Sequence, residues 1–151
     1  MRAIASVRIW GRDYERAKAF AASAAAATGV AVEAAPNVSA CIADADIICT
    51  VTAARDPILF GRDVACGVHI NAIGSSRATE AEIDTDLFAR ARVFADYKPG
   101  VLVQGGEFLR AKVSGRVTDD HILGDIGDVA IGRLRSVPSR TTVVSMAKRM
   151  P

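Results

Sequence analysis

A chain of 151 residues is long enough for one domain with a real core. Half of it is apolar, little of it is aromatic, and alanine is used heavily, which suits Ala-rich helices packed on a Val/Ile sheet. No apolar run reaches the length of a membrane span, Arg8 and Arg12 interrupt any leader-like stretch, and the net charge is only +2 without interleaved aromatics or a nucleic-acid motif. Cytoplasmic localisation is therefore expected, with neither nucleic acid nor a membrane as partner.

In chain order, residues 3–10 (AIASVRIW) read as a strand, and Gly11, Arg12 and Asp13 turn the chain. Asp13 caps a helix whose apolar face is Ala17, Phe20, Ala21, Ala24 and Thr28, with Gly29 as its stop. Residues 30–34 form a short strand ended by Pro36, and a short helix begins at Asn37 or Ser39 and runs to about Ala45. Residues 46–51 (DIICTV) are too continuous in apolar residues for a half-exposed strand, which predicts a central one. Pro57 opens a brief turn, 67–73 is another buried strand, and 79–90 is a helix with Ile83, Leu87 and Phe88 inward. A strand at 92–95, a helical turn at 98–103 and a loop-then-helix segment from 113 to about 131 follow. Alternation of helix and strand implies an α/β fold with a parallel sheet. Residues 129–151 contain no acid, so this basic end is expected to be solvated.

Three stretches carry candidate chemistry. In VRIWGRD (7–13), Arg12 follows a strand and either grips a phosphate in bidentate fashion or is a solvated turn residue. Thr50, Val51 and Thr52 end a strand in small side chains that let a flat ring or a ribose approach the backbone. In NAIGSSR (71–77), Asn71 can orient a carboxamide or a loop carbonyl, and Gly74 permits close approach. Ile73, Ser75 and Ser76 lie at the same mouth, where an ordinary Gly-Ser turn is the plainer reading. In open parallel sheets, ligands bind where such strand ends open into loops. Yet no G-x-G-x-x-G, the loop that cradles a dinucleotide's phosphates, occurs in the chain. Cys41, Cys49 and Cys66 match no zinc spacing and are expected as small buried hydrophobes, with no metal site. His69 reads as a satisfied core residue and His121 as a surface one. Glu80, Glu82, Asp84 and Asp86 read as a solvated helix face.

Together, VRIWGRD, ADIICTVTAARDPIL, GVHINAIGSSR, Glu82-Ile83-Asp84, VFADY, Gly106-Glu107 and ILGDIGDVAIGRL resemble the ornithine cyclodeaminase / mu-crystallin family over residues 7 to about 134. The resemblance implies a Rossmann-type domain that binds NAD(P) and serves reactions of amino acids or cyclic imines. It places Gly11, Arg12 and Asp13 at the adenosine-phosphate end, Thr50, Val51 and Thr52 along the cofactor, and Ile73, Gly74, Ser75 and Ser76 beside nicotinamide and substrate. Ser76 stands where the cyclodeaminases and related alanine dehydrogenases carry an aspartate. A serine cannot take a proton near neutral pH without a partner base, so Ser76 points to the ketimine-reductase side, and no residue is assigned a catalytic role.

Set against the family pattern, residues 3–134 read as an incomplete cofactor domain and 135–151 as a divergent basic tail. The expected fold is a partial Rossmann-type parallel sheet with flanking helices that lacks the first strand and the glycine-rich loop. The expected function is the cofactor-binding half of a ketimine-reductase or cyclodeaminase type of enzyme, inactive alone; the alternative is a non-catalytic truncated remnant or binding protein. NADP is preferred over NAD on Arg12 alone, with weak or absent binding. Expected partners are a small amino acid or cyclic imine, and self-association or a complementing N-terminal half.

Overall fold

The computed structural model describes residues 3–74, 77–134 and 143–146. The chain divides into two compact units, Met1–Ala45 and Asp46–Pro151.

The first unit contains β1 (Ser6–Ile9), α1 (Tyr14–Thr28), β2 (Ala31–Ala34) and α2 (Val38–Ile42). β1 and β2 pair in parallel, from Ser6 opposite Ala31 to Ile9 opposite Ala34. The helix between them begins because the Asp13 carboxylate accepts the Arg16 N–H at 3.0 Å, which satisfies one of the donors a helix start leaves over. It ends at Gly29, whose φ of 70° is left-handed and whose N–H closes on the Ala25 carbonyl. α2 is capped by Asn37, which accepts the Ala40 N–H at 2.8 Å. Its terminal carbonyls at Ala40 and Ala43 are taken by the Arg8 guanidinium from β1. The buried side chains here are small: Ala17, Ala21 and Ala35. Phe20, expected on the inner face of α1, is instead 62% exposed.

The second unit holds a five-stranded parallel sheet in the order β3-β4-β7-β5-β6. Its elements are β3 (Ile47–Thr50), β4 (His69–Ala72), α3 (Thr85–Arg90), β5 (Arg92–Ala95), α4 (Lys98–Gln104), α5 (Gly106–Val113), β6 (Ile122–Asp125), α6 (Ile126–Ala130) and β7 (Val143–Met146). Phe88, Phe108, Leu59, Ile70, Ile83, Leu87 and Ile122 are fully buried and form its core.

Several expectations are corrected. The fold does not lack a first strand: β1 opens it and is hydrogen-bonded to β2 along its length. β3 is an edge strand, not a central one. Its buried residues alternate with exposed ones, Ile48 and Thr50 in, Ile47 and Cys49 out, so the continuous apolar run hid a period of two. The helix expected over 79–90 is confined to α3, because Asp84 is its cap, accepting the Leu87 N–H at 2.9 Å. Ile83 is buried as expected, but in a bridge with Leu59 outside the helix. Of the loop-then-helix segment expected from 113 to about 131, Ile122–Asp125 is the strand β6 and the helix is confined to α6, Ile126–Ala130. Within the expected basic tail, Val143–Met146 is a strand between β4 and β5; the rest of 135–151 lies outside the described residues. Cys49 and Cys66 are exposed rather than buried, and Cys41 is half-buried.

Candidate functional site: the ends of β3 and β4

β3 and β4 run side by side, with Thr50 opposite Ala72, and the chain leaves both strands at the same end. The backbone stays joined one step beyond the sheet: the Ile73 and Gly74 amides donate to the Thr50 carbonyl at 2.9 and 3.1 Å. Side chains then diverge. Val51 is 67% exposed and Ile73 is 47% exposed, so two apolar side chains stand in solvent at adjacent strand ends. The Thr50 side chain points inward, and its hydroxyl has no hydrogen-bond partner among the described residues. The Thr52 hydroxyl accepts the Ala54 N–H at 3.2 Å, turning the chain back toward Pro57.

What holds the two chain exits together is Glu82, which is fully buried. Its Oε1 accepts the Thr52 N–H at 2.5 Å and its Oε2 accepts the Gly74 N–H at 2.8 Å. A Cβ on Gly74 would collide with the Thr52 backbone and the Glu82 carboxylate, so only glycine fits there. Glu82 is fixed in turn: its N–H donates to Glu107 Oε1 at 3.1 Å, and its carbonyl accepts the Ile58 and Leu59 amides, both at 3.0 Å. Glu107 is also buried and sits in the first turn of α5. One turn on, Arg110 donates to the Arg55 and Thr79 carbonyls at 2.7 Å each and pairs with Asp56 at 3.2 Å. α5 approaches this loop so closely that a Cβ on Gly106 would strike the Glu80 carbonyl oxygen. The loops at the strand ends are thus braced from behind by α5.

The expected solvated face of acids is therefore corrected. Glu82 is buried, Asp84 accepts the Gly61 and Leu87 amides, and only Asp86 is an exposed acid, paired with Arg116 at 2.6 Å. Sequence reasoning missed Glu82 because a helix starting at Thr79 puts it in a first turn. Recognising Asp84 as the cap leaves Glu82 in extended chain.

Thr50, Thr52, Ile73 and Gly74 come together at this end, joined by the bonds above. Asn71 faces along the sheet: its Oδ1 lies 3.1 Å from His69 Nε2, and its amide reaches Cys49 Sγ at 3.6 Å. His69 is half-buried and so partnered. His121, expected at the surface, is half-buried, 2.9 Å from the Phe88 carbonyl and in ring contact with Phe88. Gly11, Arg12 and Asp13 belong to the first unit, where Asp13 is occupied as a cap and Arg12 is exposed. Ser75 and Ser76 lie outside the described residues. Among the described residues, no three His, Cys, Asp or Glu side chains are grouped to hold a metal, and no helix is long and apolar enough to cross a membrane. Cys41 Sγ lies 3.4 Å from the Arg8 carbonyl; burial raises its thiol pKa, against the lowering effect of the Arg8 charge and of a backbone bond at Trp10.

The model of the ornithine cyclodeaminase/mu-crystallin family matches residues 1–146. The chain belongs to that family. It is 36% identical over 137 residues to ketimine reductase mu-crystallin of Rattus norvegicus, which takes in 91% of this chain and 40% of the relative. Among solved structures, Δ1-pyrroline-2-carboxylate reductase of Thermococcus litoralis superposes with a TM-score of 0.91 over 95% of this chain and 45% of its own, at 21% identity. Iminosuccinate reductase of Paracoccus denitrificans, solved with NAD+, gives 0.84 over 94% of this chain and 43% of its own, at 27% identity. The chain thus spans about two fifths of the length of the curated relative it matches.

These matches correct the fragment reading. The family likeness is not confined to 7–134, and the structural likeness runs through nearly the whole chain. The reading as a C-terminal part matched only over 7–134 is corrected to a family match over residues 1–146. The expectation of weak or absent cofactor binding and of NADP over NAD is corrected too: among the similar structures, iminosuccinate reductase was solved with NAD+ and Δ1-pyrroline-2-carboxylate reductase with NADH.

Proposed function

We propose that this chain provides the NAD(H)-binding part of an oxidoreductase that interconverts a small imine and the corresponding amino acid, and that it acts in the cytoplasm. The observation that carries the reading is the paired exit of β3 and β4. Two exposed apolar side chains, Val51 and Ile73, flank backbone held at fixed spacing by Glu82. Such a strand-end mouth suits a flat ring with a polar edge. The likeness to an iminosuccinate reductase and a ketimine reductase supports the substrate class. Ser76, in place of an acid at that position, favours imine reduction over cyclodeamination.

When bound, the nicotinamide supplies the hydride. The chain's own task is to bind and orient. Val51 and Thr52 line one side, and Ile73 and Gly74 the other. Val51 and Ile73 hold the ring by apolar contact and keep water from its face. The free thiols of Cys41, Cys49 and Cys66 suit a reducing compartment.

NADH fluorescence titrated with this protein tests the reading. Saturable enhancement is expected, abolished by Val51→Asp, with steady NADH oxidation on adding pyrroline-2-carboxylate as a cyclic imine. A flat titration contradicts it.

A further inference from the structure

We propose that Glu82 is a positioning residue for the cofactor mouth, a role that rests on the function proposed above. Its buried carboxylate sets the spacing and the direction of the two chain exits. One oxygen accepts from Thr52 and the other from Gly74, so a single rigid group spans the backbone leaving β3 and the backbone leaving β4. The carboxylate is suited to this because ionised it only accepts, and it does so from two amides at once; no neutral side chain of the same shape offers two acceptors.

The direction follows from peptide geometry. No described peptide bond is cis. In a trans peptide the carbonyl points opposite to the N–H. With the Thr52 and Gly74 amides turned toward Glu82, the carbonyls of Val51 and Ile73 point away from it. Glu82 therefore fixes two acceptors on neighbouring exits, beside the two exposed side chains of the same residues. Those carbonyls suit the donors of the proposed ligand, a ribose hydroxyl or a carboxamide N–H. The Glu82 main chain is clamped to Ile58, Leu59 and Glu107, so the carboxylate has a fixed base from which to act.

Glu82→Gln and Glu82→Ala, made in the full chain, test this. Gln keeps one acceptor and turns a donor toward the other amide. Hydrogen exchange at the Thr52 and Gly74 amides is expected to speed up at least about tenfold in both variants. The NADH Kd is expected to rise at least about tenfold in Glu82→Ala and less in Glu82→Gln. Val101→Ala removes methyl groups from a buried site in α4 and serves as a destabilised control; its NADH Kd is expected to stay within about twofold of the parent. An equal loss of affinity in Val101→Ala, or parental affinity in Glu82→Ala, overturns the positioning role. A parent chain that binds no NADH overturns the functional reading and the positioning role with it, whereas unchanged exchange at Thr52 and Gly74 with binding intact overturns the clamp alone.

Discussion

The two units build parallel strands and helices from different materials. In Met1–Ala45 the buried side chains are alanines, and order comes from backbone devices: the Asp13 and Asn37 caps, the left-handed Gly29 and the Arg8 guanidinium on the carbonyls of α2. In Asp46–Pro151 the buried side chains are large, and two carboxylates, Glu82 and Glu107, are buried with them. Buried charge costs stability unless fully hydrogen-bonded, so it persists where its bonds hold something in place. Here that something is the pair of strand ends.

The largest expected effect lies in the second unit. Phe108→Ala, at a fully buried ring packed near Phe88, should cost about 3–5 kcal/mol in urea unfolding followed by circular dichroism. A loss comparable to that of a surface substitution would break the contrast. Next comes Gly106→Ala. The added Cβ meets the Glu80 carbonyl, so α5 must back away at about 1–3 kcal/mol, and NADH affinity should fall as the loop loses its brace. In the first unit, Asp13→Ala should cost about 1 kcal/mol, read from the fluorescence of Trp10, the chain's single tryptophan. Phe20→Ala, at an exposed ring, should change stability by less than about 0.5 kcal/mol. The smallest effect concerns Cys41. Its thiol pKa is raised from the ordinary 9.0, so the folded state holds that proton longer than the unfolded chain. Its contribution to stability is complete below about pH 9 and is lost as pH rises through the raised value. Cys41 should also be the last of the three thiols alkylated at pH 8, behind exposed Cys49 and Cys66.

Much of the fold was legible where local signals agree. The strand at Arg92–Ala95, the helix from its Asp13 cap to Gly29, and the Asn37 start are visible as pattern plus punctuation. What stayed hidden was set by tertiary contact. No element was expected between 103 and 113, yet Gly106 starts α5, where only a glycine lets the helix approach Glu80. Gly124 disguises β6, and a register shift between Val93 and Phe94 accompanies it. At the candidate site, Thr50, Thr52 and Gly74 were legible as small residues at strand ends. Glu82 was not, because an acid near a helix start looks like a dipole partner until its burial is known.

Hydrogen exchange of this chain with and without saturating NADH tests the central claim most directly. Protection within the second unit confined to residues 50–54 and 71–74 is the predicted result. Exchange unchanged at the ends of β3 and β4, or slowed only elsewhere, would contradict it.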